Sequence, residues 1–193
     1  MTDQRLHGLR VATLATDGVE DSELTEPSRA LREAGAEVTL ISMKPGAIKG
    51  KHGEAYPVDM TLDRASAQDF DALLLPGGVA NPDKLRINER AVTFVRDMFT
   101  ADKPIAAICH APWMLIEADV LRGRRLTSYP SLKTDIRNAG GDWVDEEVVV
   151  DQGLVTSRRP ADIPAFNTKM LEEFAEGAHA GRESPAAAVP SRT

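Results

Sequence analysis

The stretch Lys103-Pro-Ile-Ala-Ala-Ile-Cys-His-Ala-Pro112 decides the fold of this chain. Its apolar part, Lys103 to Ile108, is typical of a buried parallel strand, and the residues from Ala111 to Ala118 are typical of a helix. Cys109, the single cysteine of the protein, therefore lies at a turn from strand to helix. Such a turn lifts a side chain above the edge of the sheet, where it can meet a substrate.

This turn predicts a reactive cysteine. Small residues, Ala107 and Ala111, stand two positions to either side of Cys109, as in the turn that presents the nucleophile of many hydrolases. The start of the next helix offers free N–H groups and a positive dipole end, which favour a thiolate. A lone cysteine is more often an inert core residue, so the prediction depends on the setting. His110 can serve as a proton carrier if its ring folds back to the sulfur; otherwise it is a polar residue at a helix start.

Strands alternate with helices on both sides of this turn. Further strands are predicted at Gly8–Ala15, Glu37–Ser42 and Phe70–Leu75, with a hairpin of Trp143–Val150 and Leu154–Ser157. Further helices are predicted around Leu24–Ala34, Asn88–Phe99, Leu132–Ala139 and Asp162–Phe174, with Pro27 placed near a helix start. The segment Lys44–Val58 is expected to form a hairpin or an irregular edge. The alternation predicts an α/β fold with a mostly parallel central sheet and helices on both faces.

Residues 1–176 are predicted to form one domain. A chain of 193 residues supports one substantial core and is short for two. Residues 177–193 lack a core-forming pattern and are predicted to be a disordered tail.

Three unusual segments follow the carboxyl ends of predicted strands, where ligands bind in such sheets. Cys109 is one, the pair Gly77-Gly78 is the second, and the acidic turn that leads to Glu23 is the third. The glycines can turn amide N–H groups toward an oxyanion, or form a plain tight turn. An acid at a helix start commonly serves the helix dipole. Buried beside the sulfur, however, the Glu23 carboxyl would have a raised pKa and could act as a general acid or base.

Composition and motifs exclude several functions. A net charge of −7 argues against a nucleic-acid partner, and no apolar run approaches the roughly 20 residues that span a membrane. The N-terminus has no signal-peptide core, and a single cysteine suits the cytoplasm. The histidines His7, His52 and His179 have no metal-ligand spacing, and no nucleotide-binding motif occurs. The sequence therefore predicts no metal and no cofactor.

Several motifs together resemble the ThiJ/PfpI superfamily, to which the Parkinson-disease protein deglycase belongs, and its PfpI-like branch in particular. The resemblance covers residues 8 to about 174. It rests on these stretches: Asp17-Gly-Val-Glu-Asp-Ser-Glu-Leu24, Leu75-Pro-Gly-Gly78, Ala107-Ile-Cys-His-Ala-Pro112, Leu121-Arg-Gly-Arg124, Thr127-Ser-Tyr-Pro130, Asn138-Ala-Gly140, Trp143-Val-Asp145 and Thr156-Ser-Arg158.

The resemblance implies a flavodoxin-like three-layer sandwich that assembles as a homodimer or from dimers. By motif position, Cys109 matches the family's nucleophile, His110 the histidine beside it, and Glu23 the carboxyl that hydrogen-bonds the sulfur. The residues expected on the oxyanion and substrate side are Gly77, Gly78 and Ala111.

Two positions depart from the family pattern. Members of this branch usually have Gly where this chain has Ala111. In the protease-like members, an acid reaches the histidine of a neighbouring subunit. The nearest acid here is Asp83, on a loop that is one residue longer, which puts that intersubunit triad in doubt.

The function implied is that of a cytoplasmic stress enzyme acting on reactive carbonyls, of the protein deglycase or glutathione-independent glyoxalase type. Its partner would be a small carbonyl compound or a glycated protein, without nucleic acid or membrane. Two alternatives remain. One is an intracellular cysteine peptidase that works through an acyl-enzyme. The other is a sensor or chaperone of oxidative stress that uses Cys109 oxidation.

Overall fold

The computed structural model describes residues 4–178. Within them the strands are β1 Arg10–Leu14, β2 Glu37–Ser42, β3 Ala47–Lys49, β4 Ala55–Pro57, β5 Met60–Thr61, β6 Ala72–Leu75, β7 Ile105–Ile108, β8 Arg125–Leu126, β9 Asp142–Trp143, β10 Val148–Asp151 and β11 Leu154–Ser157. The helices are α1 Asp21–Glu33, α2 Ala80–Arg86, α3 Glu89–Thr100, α4 Pro112–Glu117, α5 Lys133–Asn138 and α6 Ile163–Glu176.

The central sheet has seven strands in the order β10-β11-β7-β6-β1-β2-β5. All neighbouring pairs are parallel except β10 with β11, which form the predicted hairpin. Strand β7, which leads to Cys109, lies inside the sheet between β6 and β11. Its four residues are all buried, which explains why its sequence is a continuous apolar run and not an alternating one.

Helices cover both faces of this sheet. On one face α1 and α6 pack through Leu31, Phe166 and Phe174 against Leu74. On the other face residues of α2 to α5 pack against the side chains that alternate with these, such as Leu73. The predicted flavodoxin-like α/β sandwich is confirmed. The segment Lys44–Val58 forms a hairpin of β3 and β4.

The beginning of α1 corrects one prediction. Pro27 lies inside this helix, two turns after its start at Asp21. The carbonyl of Glu20 accepts the N–H groups of Glu23 and Leu24, both at 3.1 Å, so the first turn forms well before the proline. Pro27 then leaves one helical hydrogen bond unmade, and Glu23 lies in the turn that precedes it.

Two further elements differ from expectation. Trp143 does not belong to the hairpin; it lies in β9, which pairs in parallel with β8 outside the central sheet. The acids at 145–147 separate it from β10, which begins at Val148. Helix α2 was not predicted, because its seven residues directly follow the glycine loop and show no full apolar period.

No helix among residues 4–178 is both long and apolar enough to cross a membrane. Most of the predicted tail, residues 179–193, lies outside the described residues. The domain boundary near residue 176 stays a prediction.

Candidate active site

Cys109 stands on a tightly held turn directly after β7. Its φ is 65°, a left-handed conformation that is unfavourable for residues with a side chain. Two hydrogen bonds fix it there: the Cys109 N–H donates to the carbonyl of Ser157 at 3.0 Å, and the Cys109 carbonyl accepts the N–H of Tyr129 at 2.9 Å. The residue is 6% exposed, so its side chain is shielded from bulk water.

The Glu23 carboxyl reaches the same turn from the first turn of α1 and is completely buried. Its Oε2 accepts the N–H of Gly77 at 2.9 Å. Its Oε1 has no hydrogen-bond partner of ordinary geometry among the described residues, but the carboxyl lies near enough to the Cys109 thiol for each group to affect the pKa of the other. Burial raises the pKa of Glu23 to about 8, against the opposing effect of the Gly77 N–H. The carboxyl therefore carries a proton at neutral pH, and Oε1 is the oxygen left to hold it.

The close approach of these groups requires glycine at position 77. A Cβ there would lie 2.5 Å from Oε2 of Glu23 and 2.6 Å from Cβ of Cys109. The loop is braced by Asn81, whose Nδ2 donates to the Gly77 carbonyl at 3.0 Å and whose Oδ1 accepts the Thr16 N–H at 2.7 Å. The three segments predicted to converge at the strand ends do converge.

His110 folds back onto the nucleophile, as its predicted role requires. Its Nδ1 lies 3.1 Å from the Cys109 sulfur, and its Nε2 lies 3.2 Å from Oγ of Ser131. The ring stacks on Tyr129, with 4.6 Å between centroids, and meets Trp113 edge-on. Burial, followed by the positive charge of Lys51, lowers the pKa of His110. The ring is thus an uncharged imidazole at neutral pH, ready to accept a proton.

The sulfur itself corrects an expectation. The helix start was expected to favour a thiolate, but burial, followed by the charge of an ionised Glu23, raises the pKa of the Cys109 thiol. The N–H groups of Gly78 and His110 point to the sulfur and lower the pKa of the thiol, but the net shift of that pKa remains upward. Helix α4 has only six residues, so its dipole is weak. The resting site therefore holds a thiol, and His110 is the nearest base that can take its proton.

The remaining predicted residues lie in different surroundings. Gly78 has a φ of +82°, and a Cβ there would lie 2.5 Å from the carbonyl oxygen of Gly18. The N–H of Ala111 donates to the Ile108 carbonyl at 3.1 Å and the residue is 1% exposed; its expected contact with the substrate stays a prediction. Asp83 is exposed in the first turn of α2, and its role as an intersubunit acid stays a prediction.

Sequence reasoning missed the residues that surround His110 and brace the glycine loop. Asn81, Trp113 and Ser131 carry no motif of their own, and their roles depend on chain segments far apart in sequence. Tyr129 belongs to a stretch that supported the family resemblance, which was the available signal for it.

A polar cluster lies on the exposed side of the acidic turn. Ligand atoms of Glu20, Asp21 and His52 lie within 4.8 Å of one another. These acids already have partners: Lys51 Nζ is 3.1 Å from Oε2 of Glu20, and the Tyr56 hydroxyl donates to Asp21 at 2.7 Å. The cluster is a hydrogen-bonded network between α1 and the β3–β4 hairpin, and the absence of a metal stays a prediction.

The chain is similar to proteins of one family in both sequence and structure. The model of the DJ-1/PfpI family matches residues 9–173. Protein/nucleic acid deglycase 2 of Escherichia coli is 50% identical over 165 residues, which cover 84% of this chain and 95% of that protein. Deglycase PfpI of Pyrococcus furiosus is 48% identical over 164 residues, covering 85% and 98%. The crystal structure of Drosophila melanogaster DJ-1beta matches with a TM-score of 0.81 at 32% identity, covering 86% of this chain and 90% of that one.

Proposed function

Because the chain belongs to the DJ-1/PfpI family, we propose that it is a cysteine-dependent deglycase or glyoxalase that acts on reactive carbonyls without a cofactor. The observation that carries this proposal is the contact of 3.1 Å between the Cys109 sulfur and His110 Nδ1, with the protonated Glu23 carboxyl buried beside them. The names of two relatives near 50% identity support it, since both are deglycases. The substrate would be a methylglyoxal-type aldehyde, free or attached to a protein.

The first step is addition of sulfur to the aldehyde carbon. The thiol proton of Cys109 passes to Nδ1 of His110 as the sulfur–carbon bond forms. The carbonyl π electrons move onto oxygen, which the N–H of Gly78 can stabilise and which takes up a proton to give a hemithioacetal. With a glycated amine, the sulfur instead displaces the amine, and the amine leaves with the proton held by His110.

The second step moves hydrogen between two neighbouring carbons. Glu23, once its proton has gone to the adduct oxygen, can accept the proton on the aldehyde-derived carbon and return one to the ketone-derived carbon, while the hydroxyl proton of the hemithioacetal passes to the ketone oxygen. The first carbon is oxidised to a thioester as the second is reduced to an alcohol, so no external oxidant or reductant is needed. Water then cleaves the thioester, which releases a 2-hydroxy acid and restores the thiol.

The raised pKa of the thiol weighs against the sensor alternative. Oxidation by peroxide proceeds through the thiolate, which the buried environment of Cys109 disfavours. The peptidase alternative, as the resemblance implies it, needs an acid of a neighbouring subunit at His110, whereas within this chain Oγ of Ser131 lies 3.2 Å from Nε2 of that ring. The site of a single chain therefore supports carbonyl chemistry best.

We further propose that the protein is a homodimer and works in the cytoplasm, whose reducing conditions keep a lone thiol intact. Light scattering on the purified chain measures the assembly, and a monomeric mass would contradict the first of these two proposals.

The test of the function is methylglyoxal consumption with identification of the product. Wild type and Cys109→Ser are compared at equal folded concentration, and lactate is expected from the wild type alone. Absence of turnover in the wild type, or equal rates in both, would overturn the proposal. Peptide cleavage by the wild type, or rapid oxidation of Cys109 by modest peroxide, would then identify which alternative applies.

A further inference from the structure

The second ring nitrogen of His110 is held by a residue of the same chain. Oγ of Ser131 lies 3.2 Å from Nε2, on the side of the ring opposite the Cys109 sulfur. Ser131 lies in a single turn of 3-10 helix, Pro130–Leu132, whose first residue has its φ fixed by the proline ring. This turn is hydrogen-bonded to the backbone of the nucleophile, because the N–H of Tyr129, the residue before it, donates to the Cys109 carbonyl. One short segment thus sets both the stacking partner and the hydrogen-bond partner of the ring.

A hydroxyl at this position has a different effect from a carboxylate. A carboxylate only accepts, so it binds the N–H form of Nε2 and stabilises the positively charged imidazolium. A hydroxyl can donate or accept and carries no charge. It therefore satisfies Nε2 of the uncharged ring without favouring its protonation. When Nε2–H donates to Oγ, the lone pair of Nδ1 faces the sulfur and can receive the thiol proton.

We propose that Ser131 is a positioning residue that presents the bare Nδ1 of an uncharged His110 to the thiol of Cys109. This inference deepens the proposed function and rests on it for the effect on turnover. The geometric part concerns the hydrogen position on His110, which is measurable whether or not carbonyls are turned over. In this arrangement a hydroxyl of the same subunit orients an uncharged His110. A carboxylate in the same place would instead stabilise the imidazolium.

The charged and titratable groups around His110 agree with this assignment. The thiol of Cys109 faces Nδ1, and the phenol-bearing ring of Tyr129 lies over one face. Lys51, from the β3–β4 connection, adds a positive charge that disfavours the imidazolium. Trp113 separates the ring from Asp135, to which its Nε1 donates at 3.0 Å.

Four variants of the exposed Ser131 test the proposal. Ser131→Ala removes the hydroxyl, and Ser131→Thr retains it. Ser131→Asp introduces a carboxylate, and Ser131→Asn is its uncharged control of matching size. Because the position is exposed, folding is expected to persist in all four, and circular dichroism checks this for each.

The first readout is nitrogen NMR of the histidine ring, with the His110 signals identified by their absence in His110→Asn. In the wild type we expect an uncharged ring with the proton on Nε2. The preference for this tautomer should be lost in Ser131→Ala and kept in Ser131→Thr. Ser131→Asp should raise the pKa of His110 by about one pH unit, whereas Ser131→Asn should not. An identical tautomer and titration in wild type, Ser131→Ala and Ser131→Asp would overturn the inference.

The second readout is the pH profile of lactate formation. Ser131→Ala should lower kcat about 3- to 10-fold with little change in KM, and Ser131→Thr should restore it. Since the uncharged ring is the active form, Ser131→Asp should move the acid limb to higher pH by the same amount as the NMR titration. If the wild type forms no lactate, the proposed function fails and the NMR still decides the role of Ser131. If lactate forms but kcat and the acid limb of the pH profile are the same in all variants, the inference about Ser131 fails and the proposed function stands.

Discussion

Replacing Glu23 by Gln should make the protein more stable, increasingly so as the pH rises. The folded-state pKa of Glu23 is raised from its ordinary value of 4.5 to about 8. Its contribution to stability is therefore complete below pH 4.5 and is lost as the pH rises toward 8. Each pH unit in that window is worth about 1.4 kcal/mol, so from pH 5 to pH 8 the loss amounts to about 4 kcal/mol. Gln fills the same space, and its side-chain oxygen can still accept the Gly77 N–H.

The assay is urea unfolding of Glu23→Gln and its parent at each pH unit from 5 to 9. Both proteins should carry Cys109→Ser, so that titration of the thiol does not enter the difference. The difference in unfolding free energy should grow steadily up to pH 8 and then level off. Parallel stability curves across this range would show that Glu23 titrates normally, and the reasoning that gives it a proton at neutral pH would be refuted.

Two further variants test the turn and the glycine loop. The free energy of unfolding in urea should be about 1 kcal/mol higher for Cys109→Gly than for Cys109→Ala, because glycine alone adopts a φ of 65° without strain. Equal or reversed stabilities would argue against strain at this turn. Gly77→Ala should cost about 1–3 kcal/mol and abolish lactate formation, since its Cβ would press on Glu23 and the nucleophile. Gly8→Ala is the control: a Cβ there has nothing within 4 Å, but the φ of +79° is strained for alanine, so this variant should lose stability and keep turnover. Full activity in Gly77→Ala would contradict the geometry of the site.

The layout of the fold was readable from the sequence because its central strands are buried on both faces. Continuous apolar runs such as Ala72–Leu75 mark them, and their ends locate Gly77 and Cys109 at one edge. The placement of Glu23 followed from the same rule together with the family resemblance. These features depend on local pattern and on topology, both of which a single sequence records.

Other features depend on contacts between distant segments and could not be read in this way. Pro27 reads as a helix start, yet the preceding turn at Glu20 begins the helix earlier. The thiol pKa reflects how deeply the sulfur is buried, which local sequence does not state. Ser131 meets His110 across 21 positions of chain, and neither residue type predicts the other.

The hydrogen bonds on either side of Cys109 also set the order in which the site can be completed during synthesis. The partners of its backbone, Tyr129 and Ser157, leave the ribosome after it, and strand β7 lacks one neighbour until β11 has emerged. A nascent chain shorter than 157 residues thus lacks at least the Ser157 contact that helps to hold the thiol in its left-handed turn. The chemistry we propose would therefore begin only once nearly the whole folded part of the chain has been translated.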